Sequence, residues 1–134
     1  MDKKAVLLGL ALALPLPTWA QRAQAKLECR STGTDYVYDC IIRLTRGAEP
    51  LQGAKITVGA DMPSMPMAHN VKPVQAVPGD KPGEYRVTLD LEMQGEWMVK
   101  LRLSGPLKDQ LMLRYEFDAS GARPLKRADR PPRK

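Results

Sequence analysis

Between Tyr36 and Phe117, run after run places apolar side chains at every second position, and this periodicity most narrows what the chain can fold into. Successive side chains of an extended strand point to opposite faces, whereas a helix repeats every ~3.6 residues. Tyr36, Tyr38, Cys40, Ile42 and Leu44 share one side of their segment, and Asp39 and Arg43 take the other. Ile56, Val58 and Ala60 repeat the pattern against Lys55, Thr57 and Asp61. Tyr85, Val87, Leu89 and Leu91 alternate with Arg86, Thr88, Asp90 and Glu92. The same rhythm runs through Trp97 to Leu103 and through Leu111 to Phe117. Turn residues cut these runs at Arg46–Pro50, Pro78–Gly83 and Ser104–Pro106. A strand over Leu27–Ser31 and another over Val71–Val77, bent by Pro73, bring the total to about seven. One-faced alternation means that each sheet buries one side and wets the other. The expectation is an all-β, immunoglobulin-like β-sandwich.

The first twenty residues read differently. Lys3 and Lys4 precede a short apolar run, Ala5 to Leu16, which Pro15 and Pro17 interrupt before Thr18-Trp19-Ala20. A basic start, an apolar middle and a small-x-small end form a secretory signal. The apolar run is short for a membrane span, which needs roughly 20 residues. Residues 1–20 are therefore expected to be a signal peptide, with Ala23-Gln24-Ala25 as a second candidate cleavage site. The domain is expected over 21–118, in the periplasm, and a disordered basic tail over 119–134.

Charge supports that division. The chain carries +6 overall, but residues 21–118 hold thirteen basic and thirteen acidic side chains. The excess lies in the tail, where Arg123, Lys126, Arg127, Arg130, Arg133 and Lys134 face Asp129 alone. A balanced domain surface argues against nucleic acid as the partner. The two cysteines, Cys29 and Cys40, sit in neighbouring strands on either side of a polar turn. An even cysteine count in an exported chain favours a disulfide, and their separation is unlike the CxxC spacing of thiol metal or redox sites.

The candidate site is the stretch Asp61-Met62-Pro63-Ser64-Met65-Pro66-Met67-Ala68-His69-Asn70. It gathers three of the seven methionines and the only histidine. Thioethers are soft donors and imidazole is a common metal ligand, a set that suits Cu(I) better than Mg²⁺ or Ca²⁺. Pro63 and Pro66 favour a polyproline-like path of ~3 residues per turn, which would point Met62 and Met65 the same way. Met62, Met65, Met67 and His69 are the candidate ligands. The competing reading is that these methionines fill apolar space under a loop. Met98 and Met112 fall on the polar side of two consecutive strands, which pairing would bring close enough for a second soft-metal site or a partner patch. Trp97 follows Gly95, a residue free to adopt positive φ, and is expected to plug the core.

The order Met65-Pro66-Met67-Ala68-His69, then Lys81-Pro82-Gly83-Glu84-Tyr85, then Gly95-Glu96-Trp97 resembles YtkA-like domains and the related FixH-like proteins. The resemblance covers roughly Gly53 to Leu103. It implies a small exported or membrane-anchored β-sandwich. Some such relatives accompany copper handling or cytochrome oxidase assembly, and similar loops occur in heavy-metal efflux adaptors. Unlike FixH-like proteins, this chain lacks a clear membrane anchor.

No catalytic constellation assembles from one histidine, paired cysteines and scattered carboxylates. The expected function is non-enzymatic: an exported domain that binds copper for delivery or tolerance. The expected partners are the copper ion and a membrane-bound copper, oxidase-assembly or efflux protein. The alternative is a metal-free interaction module that docks on a membrane complex or transporter.

Overall fold

A computed structural model describes residues 22–65 and 70–125. The expected signal peptide over 1–20, the end of the expected tail over 126–134, and Met67 and His69 of the candidate site lie outside the described residues. Two antiparallel sheets face each other, with no helix among the described residues. The strands are β1 (Ala23–Ser31), β2 (Val37–Arg46), β3 (Glu49–Pro50), β4 (Lys55–Asp61), β5 (Asn70–Gln75), β6 (Val77–Pro78), β7 (Glu84–Asp90), β8 (Gly95–Ser104), β9 (Asp109–Phe117) and β10 (Ala122–Pro124). The first sheet has the order β1-β2-β7-β6, with β3 added to β2, and the second has the order β10-β9-β8-β4-β5. Three of the ten strands are two or three residues long. The seven longer ones are the alternating segments expected from the sequence. Among these seven, the third, sixth and seventh form the body of one sheet, and the first, second and fifth that of the other. This is the Greek-key division of immunoglobulin-like sandwiches.

Alternation sends one set of side chains between the sheets. Ile42, Leu44, Val58, Leu89, Leu91, Trp97, Val99 and Leu101 are fully buried. Each large apolar side chain buried in this way stabilises by roughly 1.5–3 kcal/mol relative to exposure. Trp97 does plug the core, and its indole N–H donates to the Met93 carbonyl at 3.2 Å. Three buried tyrosines place their polar tips where a partner waits, as buried hydroxyls must. The Tyr38 hydroxyl donates to the Asp118 carbonyl at 2.6 Å, tying the first sheet to the end of β9. The Tyr115 hydroxyl accepts from the Leu27 N–H at 2.9 Å, tying the second sheet to β1. The Tyr85 hydroxyl donates to the Leu51 carbonyl at 2.7 Å and accepts from the Ala54 N–H at 3.0 Å, which fixes the approach to β4.

Register sets the disulfide. Cys29 stands opposite Cys40 in the β1–β2 ladder, with their Cα atoms 4.0 Å apart, and the two are bridged. Closing so short a loop contributes roughly 2–3 kcal/mol in the chain-entropy picture.

Two boundaries differ from the expectation. The segment expected as one bent strand over 71–77 is two strands in different sheets. β5 pairs β4 and β6 pairs β7, with the Ala76 N–H donating to the Ile56 carbonyl at the crossover. Between Val58 and Ala60 of β4, β5 advances three positions, from Val74 back to Val71, so it bulges beside Pro73. Proline has no N–H for a ladder, and edge strands and bulges are where it is tolerated. The domain also runs past Asp118. Gly121 bridges Arg30, β10 pairs β9, and the Leu125 N–H donates to the Arg114 carbonyl. The expectation of a disordered tail from 119 therefore fails for 119–125. Gly121 sits so close that a Cβ there would meet the Cys29 carbonyl oxygen at 2.3 Å. A composition-based reading of the tail cannot register a contact of that kind.

Candidate functional site

The connection from β4 to β5 leaves the sandwich at one end. The register places the β1–β2 turn, the β7–β8 turn and the β9–β10 turn at the same end. The connection opens with a tight turn, in which the Met65 N–H donates to the Met62 carbonyl at 3.0 Å. Pro63 occupies the position whose φ a turn of this kind wants preset. The polyproline-like path expected for Met62 to Met65 is therefore not what forms, and the two side chains differ in burial. Met62 turns inward and is 4% exposed, whereas Met65 is 38% exposed. A hydrogen-bonded turn reverses the chain over four residues, so its first and last side chains need not share a direction.

Gly95 makes room for Met62. Its φ is +132°, and a Cβ there would come within 3.1 Å of the Met62 methyl group. Met62 thus anchors the root of the connection in the core, and Met65 is displayed beyond it. Met93, in the β7–β8 turn at the same end, is half-buried against the core. The sequence reading missed Met93 as a possible contributor, because it lies well away from the Met/His stretch and only the pairing of β4 with β8 brings the two connections to one end. At the root of the connection, Asp61 pairs with Lys100 at 2.7 Å, which occupies the nearest carboxylate. Among the described residues no three His, Cys, Asp or Glu side chains converge as a metal site.

The neighbouring β9–β10 turn is held by one carboxylate. Asp118 Oδ1 accepts from the Ser120 hydroxyl, the Ser120 N–H and the Gly121 N–H, at 2.8, 2.9 and 3.0 Å. These donors, the Ser120 hydroxyl foremost, hold its pKa below the usual carboxylate value. In the β1–β2 turn Tyr36 takes φ +65°, unusual for a bulky residue, and is 40% exposed.

The Pro-Gly-Glu-Tyr motif at 82–85 lies at the other end, and its residues serve the fold. Gly83 takes φ +76°, and a Cβ on it would meet the Leu44 carbonyl oxygen and the Pro50 Cβ at 2.8 Å each. Glu84 is buried, packs over Gly79 and lies 3.7 Å from the Arg43 guanidinium. Tyr85 pins Leu51 and Ala54 as described.

Met98 and Met112 are on the outer face of the second sheet. Met98 stands opposite Asp61 on one side and Arg114 on the other, and Met112 stands opposite Lys100. Met98 is half-buried and Met112 is 57% exposed. A groove of about 810 Å³ lies elsewhere, where Ile41, Val74 and Val77 meet Arg30, Asp39 and Arg86.

These positions bear on kinship, because the recognisable motifs now have places in one fold. A family model described as YtkA-like matches residues 24–102, which runs from β1 through most of β8 and includes the Met/His connection, the Pro-Gly-Glu-Tyr turn and Trp97. No curated protein and no solved structure matches the chain significantly. The family match spans more than half of the sequence and both sheets of the sandwich, and on that ground the chain belongs to the YtkA-like family.

Proposed function

We propose that the protein is an exported, non-enzymatic domain that binds Cu(I) at the β4–β5 connection, for copper delivery or tolerance. The observation that carries this reading is the division of labour in the Met62–Met65 turn. One thioether is spent on the core, so the next stands exposed at the sandwich end with Met67 and His69 two and four residues beyond. Thioether and imidazole are donors that Cu(I) prefers. Met65 is the displayed donor, and Met67 and His69, which follow it in the sequence, complete the proposed set. Met62 can join it only by leaving the core, so its first role is to anchor the connection.

Export is supported by the Cys29–Cys40 bridge, since disulfides persist in oxidising compartments such as the periplasm. Residues 1–20 supply the signal in this reading. Cleavage after Ala20 suits the fold better than cleavage after Ala25. The latter would remove Ala23, which is buried, and strip Ala23–Ala25 from the ladder with β2. The mass of the exported protein distinguishes the two sites. The partner that gives or takes copper is, on this reading, a membrane-bound copper, oxidase-assembly or efflux protein.

A Cu(I) competition titration tests the proposal, with the disulfide kept oxidised so that thiolates cannot capture the metal. Wild-type protein should outcompete the Met65→Ala/Met67→Ala variant. Binding should weaken below the ordinary imidazole pKa of ~6.5, and His69→Ala should remove most of that dependence. Equal competition by wild type and the double variant sinks the copper reading. The metal-free interaction module then takes its place, and the exposed Val74 and Val77 on the edge strands β5 and β6 favour it.

A further inference from the structure

We propose that Met98 and Met112 form a second soft-cation site, a pair of thioethers on the outer face of the second sheet. Nothing in the loop reading requires it, and it stands on different residues. The β8–β9 register pairs Met98 with Arg114 and Lys100 with Met112, so the two methionines are diagonal neighbours on one face. Diagonal Cβ atoms lie roughly 7–8 Å apart or somewhat less, within reach of long side chains. Each methionine carries its sulfur two bonds beyond Cβ on an unbranched, rotatable stem. Two such stems turned toward each other can place both sulfurs on a single soft cation.

Lys100 and Arg114 occupy the other two corners of the same rectangle. Both are neutralised locally. Lys100 is paired with Asp61 at 2.7 Å, and Arg114 is paired with Glu96. The corner charges are balanced by carboxylates on the same face, and a monovalent cation bound between the thioethers meets little net repulsion. Exposure also fits. Met98 is half-buried, which fixes one donor, and Met112 is 57% exposed, which leaves the other open to an arriving ion. Position gives the pair a use. Met98 lies directly across the ladder from Asp61, the last residue of β4 before the Met/His connection. A soft cation on the pair would sit on the sheet face adjoining that connection, open to a partner that supplies further ligands.

The test is a titration of the oxidised protein, labelled with ¹³C at the methionine methyl groups, with Ag(I) as a redox-inert stand-in for Cu(I). The Met98 and Met112 methyl signals should move together and saturate, in wild type and equally in Met65→Ala/Met67→Ala. Met112→Leu keeps the size and apolar character of the side chain but removes the sulfur. In that variant the response of Met98 should fall at least about tenfold in apparent affinity, which corresponds to about 1.4 kcal/mol. The proposal is overturned if neither methyl group responds to excess Ag(I), or if Met98 titrates identically in Met112→Leu. Failure of the loop reading looks different: the Met65 and Met67 signals stay still while those of Met98 and Met112 move.

Discussion

Two connections of the sandwich, the turn into β7 and the connection from β4 to β5, use their residues in opposite ways. In the first, Gly83, Glu84 and Tyr85 are all consumed by packing and hydrogen bonding. In the second, Met62 is consumed and Met65 is displayed. Recognisable motifs in a chain of this kind are therefore of two sorts. One specifies backbone geometry and closes the sandwich. The other supplies an anchor so that its neighbours can be presented. Only residues of the second sort that remain exposed are free to meet a ligand.

The sharpest way to break this comparison is Gly83→Ala. Positive φ disfavours any Cβ, and the added methyl would press on the Leu44 carbonyl oxygen and on Pro50. A loss of about 3 kcal/mol is expected in urea unfolding, the size reached when backbone strain and overpacking act together. A loss below about 1 kcal/mol would show that the turn is more accommodating than a fold-closing motif should be. Next comes Met62→Ala, which should cost about 2–4 kcal/mol as a core truncation, whereas Met62→Leu should cost less than about 1.5 kcal/mol. If Met62→Ala is nearly neutral, the anchor role is wrong and Met62 returns to the ligand set.

Acid probes both ends of the sandwich, through Asp118 beside the Met-bearing connection and Asp109 at the other end. Asp118 is held below its ordinary value by the Ser120 hydroxyl and by the N–H groups of Ser120 and Gly121, and Asp109 by its hydrogen bond from Arg22. A carboxyl whose folded pKa is depressed stabilises the fold above its unfolded value. That stability is lost as pH falls through the folded value. Stability should therefore be level from neutral pH down to the ordinary aspartate value of 3.8 and decline below it. Asp118→Asn should flatten part of that decline. Thioethers take up no proton in this range, so a Met65 contact with Cu(I) should not share it. The smallest stability effect belongs to Met65→Ala, expected within about 0.5 kcal/mol of wild type. Its consequence should appear instead as weaker Cu(I) binding at every pH. A variant that loses stability as well would erase the distinction between anchor and displayed residue.

Much of the fold was legible because period-two burial is a local property. Each strand from β2 to β9 that buries one face announces it in its own residues, as Tyr85 to Asp90 and Trp97 to Leu103 do. The disulfide was legible for a related reason: two cysteines near a polar turn have few other partners. The Met/His stretch could be found as a collection of soft donors, but the direction of each donor could not be read. The polyproline-like expectation treated Pro63 and Pro66 as a local rule. The folded chain instead closes a hydrogen-bonded turn and sinks Met62 beside Gly95.

The sequence by itself determined the strand faces, the pairing of the cysteines and the presence of a soft-donor cluster, because these follow from side-chain chemistry and the two-residue repeat. Only the tertiary structure decided which methionine is core and which is displayed, that Met93 comes to the same end, that Met98 and Met112 are diagonal neighbours in the ladder, and that the chain stays in the sandwich to Leu125. Each of these depends on what lies across a ladder or between the sheets. A glycine with room for a methyl group, a carbonyl 2.3 Å from where a Cβ would sit, or a diagonal register exists only once distant segments have been brought together.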